Sequence, residues 1–379
     1  MIFQNWKYCV LFLALGILLS CAPSIPVNGY RTTIGEGADE ITVVVVHGTP
    51  YEMGFALGNL LKKEASDCMG YFLKAAQTEL PQRFSDEKLD SAWMSVSPYI
   101  HQRFKDELRG FADGAKLDLK QLQRTHMIPV MGDYACSGVA VWGEATADGH
   151  LYQFRNLDFY KKARLQDYPV IAIYLPSDGI AHAVPTFAGY IAAHTGMNAR
   201  GIVLGEKGES PESDFPFDLD GTHFTTLFRD LLYDAQSLPE LIERVKSTKL
   251  IKRYHLYFGD GQPETMGAVK MLVFSPDSVK LTIWQDNDPT DEVAPNVLPY
   301  TIYYTMKNDV AFRHLSQNTG SYDSEKMIEL SKAVADEGGN LVNIVYDATS
   351  LEMWIAYAEK QQDASSRPYI HLKMTDYIK

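Results

Sequence analysis

Residues Ala135–Phe159 read ACSGVAVWGEATADGHLYQFRNLDF, and the reading of this stretch decides the fold. A short apolar run, a Thr-Ala-Asp-Gly turn and a second alternating run predict a β-hairpin. If it bends near Thr146–Ala147, position 136 faces position 156 to within a residue. Arg155 and Asp158 then return beside Cys136. A cysteine, a guanidinium and a carboxylate at one sheet end make a candidate nucleophile site, because a nearby cation lowers a thiol pKa. The same residues would equally suit a surface Arg–Asp pair beside a buried structural cysteine.

Upstream of the hairpin the pattern is mostly helical. Thr42–Val46 is a buried β-branched strand ended by Gly48-Thr49-Pro50, and Tyr51–Ala65 follows as a helix whose Gly54 and Gly58 form a smooth stripe for a close neighbour. Further amphipathic stretches cover about 86–116 and 118–131. Downstream, strands are expected at Gly138–Gly143, Leu151–Phe154, Pro169–Leu175, Ala181–Phe187, Tyr190–Thr195 and Gly201–Gly205. A helical block over 222–247, strands at Ala268–Phe274 and Lys280–Trp284, a helix over 323–336 and a hairpin of Val342–Tyr346 with Glu352–Tyr357 complete the reading. Helices, strands, helices, strands point to α+β layers rather than alternating βαβ units.

The first residues stand apart. Lys7, an apolar run to Leu19, then Ser20-Cys21 form a secretory signal over 1–20, and Leu18-Leu19-Ser20-Cys21 resembles the bacterial lipobox, so Cys21 is expected to carry lipid and tether the protein to the outer membrane of a bacterial envelope. Cys68 and Cys136 are then the cysteines of the exported body, available for a disulfide or as free thiols. The formal charge of −13 and the absence of any Lys/Arg run exclude nucleic acid as a natural partner. The ten histidines are scattered and no HExxH or CxxC occurs, so no metal site is expected. Val43–Pro50, VVVVHGTP, imitates the oxyanion loop of α/β-hydrolases, but no G-x-S-x-G elbow accompanies it.

The Cys-Ser start, Thr146-Ala147-Asp148-Gly149 and Arg155-Asn156-Leu157-Asp158-Phe159 resemble the N-terminal-nucleophile hydrolases of the acyl-CoA:6-aminopenicillanate acyltransferase family, related to choloylglycine hydrolases, acid ceramidase and N-acylethanolamine acid amidase. Thr49–Gly58, Gly196–Gly205 and Asn343–Trp354 resemble further segments of that family. The resemblance implies a four-layer αββα sandwich and self-cleavage between Ala135 and Cys136, which would divide the chain into 21–135 and 136–379. It implies that Cys136 is the nucleophile, that Arg155 and Asp158 hold its thiol and new amine, and that Glu206 matches a glutamate of the ceramidase branch. Asn287 would supply the oxyanion donor, although Asp286 stands where the family usually has Thr; Asn198 and Asn318 are the other candidates. The implied substrate is a small N-acyl amide, hydrolysed or transferred without a cofactor. A surface lipoprotein using the same fold as a non-catalytic binding scaffold is the rival reading.

Overall fold

The computed structural model describes residues 27–132, 135–208, 216–273, 281–285, 288–291, 294, 296 and 298–378. The N-terminal part holds β1 (Gly29–Ile34), β2 (Ile41–Gly48), α1 (Pro50–Leu60), α2 (Lys62–Glu79), α3 (Pro81–Phe84), α4 (Asp86–Val96), α5 (Gln102–Ala115) and α6 (Leu119–Met131). The central hairpin is β3 (Ala135–Gly143) and β4 (Gly149–Asp158). It is followed by β5 (Pro169–Pro176), β6 (His182–Phe187), β7 (Gly196–Asn198), β8 (Ile202–Gly208), α7 (Phe224–Asp234), α8 (Leu238–Lys246), β9 (Tyr254–Asp260), β10 (Gly267–Val273) and β11 (Leu281–Trp284). The chain closes with β12 (Thr301–Tyr304), α9 (Asn308–Asn318), α10 (Ser324–Val334), β13 (Asn340–Asp347), β14 (Glu352–Tyr357) and β15 (Ile370–Lys373).

The strands form two sheets. Nine run in the order β1-β2-β5-β6-β7-β8-β9-β10-β11, and six in the order β12-β3-β4-β13-β14-β15. Among the described strands every pairing is antiparallel except β2 with β5, which is parallel from Thr42↔Val170 to Gly48↔Pro176. The sheets pack face to face through β3 and β4 against β8 and β9; α1, α7 and α8 cover the nine-stranded sheet and α9 and α10 the six-stranded one. This is the expected α+β, four-layer αββα sandwich.

Local chemistry explains why the helices start and meet where they do. Thr49 caps α1: its Oγ1 accepts from the Glu52 amide, and Glu52 Oε2 accepts from the Thr49 amide at 2.8 Å. The Gly54/Gly58 stripe meets Gly110 and Gly114 of α5, and a Cβ on any of the four would lie 2.0–2.3 Å from a carbonyl oxygen of the opposite helix. Only hydrogen at these positions lets the two helices cross so closely. In the six-stranded sheet, alternation sorts the layers. Val139, Val141, Tyr152 and Phe154 join Leu315, Met327 and Leu330 under α9 and α10, whereas Cys136, Ala140 and Leu151 belong to the core between the sheets.

Three expectations need correction. The stretch 86–116 is two helices, separated at Ser97–His101. Tyr190–Thr195 is a buried connection between β6 and β7 rather than a strand. The expected helix Tyr51–Ala65 spans parts of two, α1 ending at Leu60 and α2 beginning at Lys62.

Candidate active site

The β3–β4 register sets the geometry. Thr146–Ala147 does lie in the bend, and Cys136 pairs with Leu157 while Ala135 pairs with Asp158. Residues two apart share a face, so Cys136 and Gly138 look into the inter-sheet space together with Arg155 and Leu157. There the Arg155 Nη2 donates to Cys136 Sγ at 3.0 Å and approaches Glu206 Oε2 of β8 at 3.5 Å. Cys136, Arg155 and Glu206 are all fully buried. That removes the surface ion pair as an account of Arg155. Cys68, in α2, is likewise a buried free thiol, and no disulfide joins it to Cys136.

Asp158 occupies a different position from Arg155. It stands across from Ala135, the residue before Cys136, with 4% of its surface exposed. Its Oδ1 accepts from Asn340 Nδ2 at 2.9 Å, while its Oδ2 is buried without a hydrogen-bond partner. A network backs this carboxylate: Asn340 also donates to Asn343, and Asn343 to the Tyr369 hydroxyl. The carboxylate is thus supported from behind and has an empty acceptor beside the Ala135–Cys136 end of the strand.

Electrostatics follow from burial. Loss of water pushes the Cys136 thiol up to about 12; Arg155 pulls it down, and the carboxylates of Glu206 and Asp158 push the other way. Burial likewise raises the Asp158 carboxyl to about 6, against the stabilising hydrogen bond from Asn340. Burial therefore leaves Cys136 a neutral thiol in this structure.

Tyr257 of β9 is a site neighbour that sequence reasoning missed. Its hydroxyl donates to the carbonyl of Ser137 at 3.3 Å. Its ring lies between Gly138 and Gly205, where an added Cβ would come within 1.9 and 2.1 Å of it. Two glycines in facing strands were the available signal. Beside Arg155 opens a pocket walled by Phe72, Leu157, Phe187 and Phe224, with His194 and Thr225 as polar members.

Asn287 lies outside the described residues, as does Cys21. Asn198 is a turn organiser: its Oδ1 accepts from the Arg200 and Ile202 amides and its Nδ2 donates to the Ala235 carbonyl at 2.9 Å. Asn318, at the end of α9, donates to the His314 carbonyl. Neither is brought to Cys136 by any contact seen here. Among the described residues there is no group of three His, Cys, Asp or Glu side chains that could hold a metal ion, and no helix long and apolar enough to cross a membrane.

No family model matches the chain. It is 25% identical over 363 residues to protein dcd1B of Dictyostelium discoideum, covering 87% of this chain and 71% of that one. Among solved structures it is similar to the Caenorhabditis elegans N-acylethanolamine-hydrolyzing acid amidase ortholog, with a TM-score of 0.44, 13% identity, and 56% of this chain and 93% of the other covered. It is also similar to penicillin V acylase from Agrobacterium tumefaciens, with a TM-score of 0.41, 11% identity, and 63% and 86% covered.

Proposed function

We propose that this chain is the precursor of an N-terminal-nucleophile amide hydrolase that frees Cys136 by cutting the Ala135–Cys136 bond. The observation that carries the reading is the buried contact between Arg155 Nη2 and Cys136 Sγ at 3.0 Å, beside a pocket with mainly apolar walls. In the cut, Cys136 Sγ attacks the Ala135 carbonyl carbon, the peptide nitrogen leaves as the new α-amine, and water hydrolyses the thioester to leave Ala135 as a carboxylate. The α-amine, with an ordinary pKa of about 8, then takes the thiol proton, a task the neutral buried thiol cannot perform for itself.

In turnover the thiolate attacks the carbonyl of an N-acyl amide. Arg155 holds the sulfur, Asp158 Oδ2 accepts from the ammonium, and Asn287 with backbone amides stabilises the oxyanion. The ammonium protonates the departing amine, and water releases the acid from the thioester. Glu206, whose Oε2 lies 3.5 Å from the same Nη2, helps hold the guanidinium in place. Resolution of the thioester by an amine in place of water would make the same site an acyltransferase. Lipidation at Cys21 would hold the enzyme at a membrane surface.

The test joins a denaturing gel to a screen of N-acyl amides. Two pieces, 21–135 and 136–379, are expected from the wild-type protein and one uncut chain from Cys136→Ala. An intact wild-type chain that turns over no N-acyl amide would sink the reading and favour the binding scaffold.

A further inference from the structure

The pocket beside Arg155 has aromatic and aliphatic walls, yet one of its wall residues is built for a polar partner. His194 sits on the connection between β6 and β7, is 5% exposed, and stacks on Phe187 with ring centroids 5.9 Å apart at 13°. Its Nε2 is buried with no hydrogen-bond partner. The same ring lines the void that Arg155 lines.

His126, a neighbour on α6, is bonded at both ring nitrogens; His182 and His223 share the unpartnered buried Nε2 of His194, but of these three only His194 lines the pocket beside Arg155. The His126 Nδ1 meets the Leu122 carbonyl at 2.8 Å and its Nε2 accepts from the Ile191 amide at 3.1 Å. That second bond also pins the connection carrying His194. The pinning continues on both sides: the Ala193 amide donates to the Thr225 carbonyl at 3.1 Å, and Thr195 Oγ1 donates to the Leu204 carbonyl at 2.6 Å. His194 is therefore clamped where its Nε2 stays unpaired, and a buried unpaired polar atom costs stability that a core Phe would avoid.

We infer that the acyl half of the substrate carries a hydroxyl within a few carbons of its carbonyl, and that His194 is the residue that binds it. The inference rests on the amide-hydrolase reading above and names the class of acyl group that reading leaves open. A neutral imidazole offers one N–H and one lone pair, and a hydroxyl can answer either. Burial and the Arg155 charge both hold the ring neutral. Closeness to Arg155, which grips the attacking sulfur, puts the hydroxyl near the reacting carbonyl rather than at the tail. A plain hydrocarbon chain would fill the same walls and leave Nε2 dry and unpaired.

The experiment compares the 4-nitroanilides of octanoic and 3-hydroxyoctanoic acid in the full chain and in His194→Phe and His194→Gln. The wild type is expected to favour the hydroxylated substrate about tenfold or more in kcat/KM. The ratio should fall to about one in His194→Phe and recover in part in His194→Gln, which keeps a donor and an acceptor. Calorimetric titration of the two free acids into Cys136→Ala, with and without His194→Phe, reports the same preference without turnover. An unchanged ratio in all three proteins overturns the inference and leaves the hydrolase reading standing. If neither anilide is cleaved, the hydrolase reading is what has failed for these substrates, and equal affinity of the two acids in the titration then overturns the inference separately.

Discussion

Asp158→Asn in the uncut Cys136→Ala background should make the precursor more stable at neutral pH and less stable in acid. The wild-type carboxyl is raised from 3.8 to about 6 by burial. The folded state therefore holds a proton that the unfolded state has released between those values, and stability falls as pH rises through the window. At about 1.4 kcal/mol for each tenfold change in proton affinity, the full penalty above pH 6 is ~3 kcal/mol. The amide removes it, keeps Oδ1 for Asn340, and adds an N–H pair that Oδ2 did not have, at a cost of about 1 kcal/mol. The net expectation is about 2 kcal/mol in favour of the variant at about pH 7.5 and about 1 kcal/mol against it below pH 4. Urea unfolding of both proteins across that range measures the difference as a shift in midpoint. A difference that stays constant with pH would refute the argument, because it would mean that Asp158 ionises in the fold as it does in the open chain. In the cut wild-type protein the new ammonium should draw the carboxyl back down and abolish the pH dependence.

Arg155→Ala should lower amide hydrolysis by about a hundredfold or more and slow labelling of Cys136 by a thiol reagent, and adding Asp158→Asn should cost far less than the product of the two losses; unchanged labelling would return Arg155 to a structural part. Gly138→Ala should destabilise the fold by about 1–3 kcal/mol through the Tyr257 ring, with Tyr257→Leu restoring most of it in a thermal melt. Tyr257→Phe, which loses only the bond to the Ser137 carbonyl, should leave the melt within about 1.5 kcal/mol of wild type. Cys21→Ser should move the protein from the membrane to the soluble fraction or leave its signal uncut; wild-type protein already soluble would end the lipid-anchor proposal.

The sequence made one part of the site legible and hid the rest for physical reasons. A hairpin with a marked turn has a register that can be counted, so Cys136 and Arg155 meet as the spacing requires. The same counting groups Asp158 with them, but strand alternation sends it to the partner of Ala135, a distinction of one residue that only the observed register makes. Glu206 was reachable through resemblance alone. Tyr257 was invisible because β9 is buried along its whole length, so YHLYFGD shows no alternation from which to read a facing side. His194 was misplaced because Tyr190–Thr195 is as apolar as a strand; the left-handed Gly189 precedes it and its amides bond to His126 and Thr225 instead of to a ladder.

The parallel pairing of β2 with β5 bears on the order of events in the life of this chain. A parallel pair cannot be closed by a tight turn, and here the connection from β2 to β5 runs through six helices and the β3–β4 hairpin. Ala135–Cys136 lies within that connection, so the proposed cut would sever the tether that brings the two strands together. Cutting before they dock would turn an intramolecular search into a meeting of two molecules and leave the edge of β5 open to foreign strands.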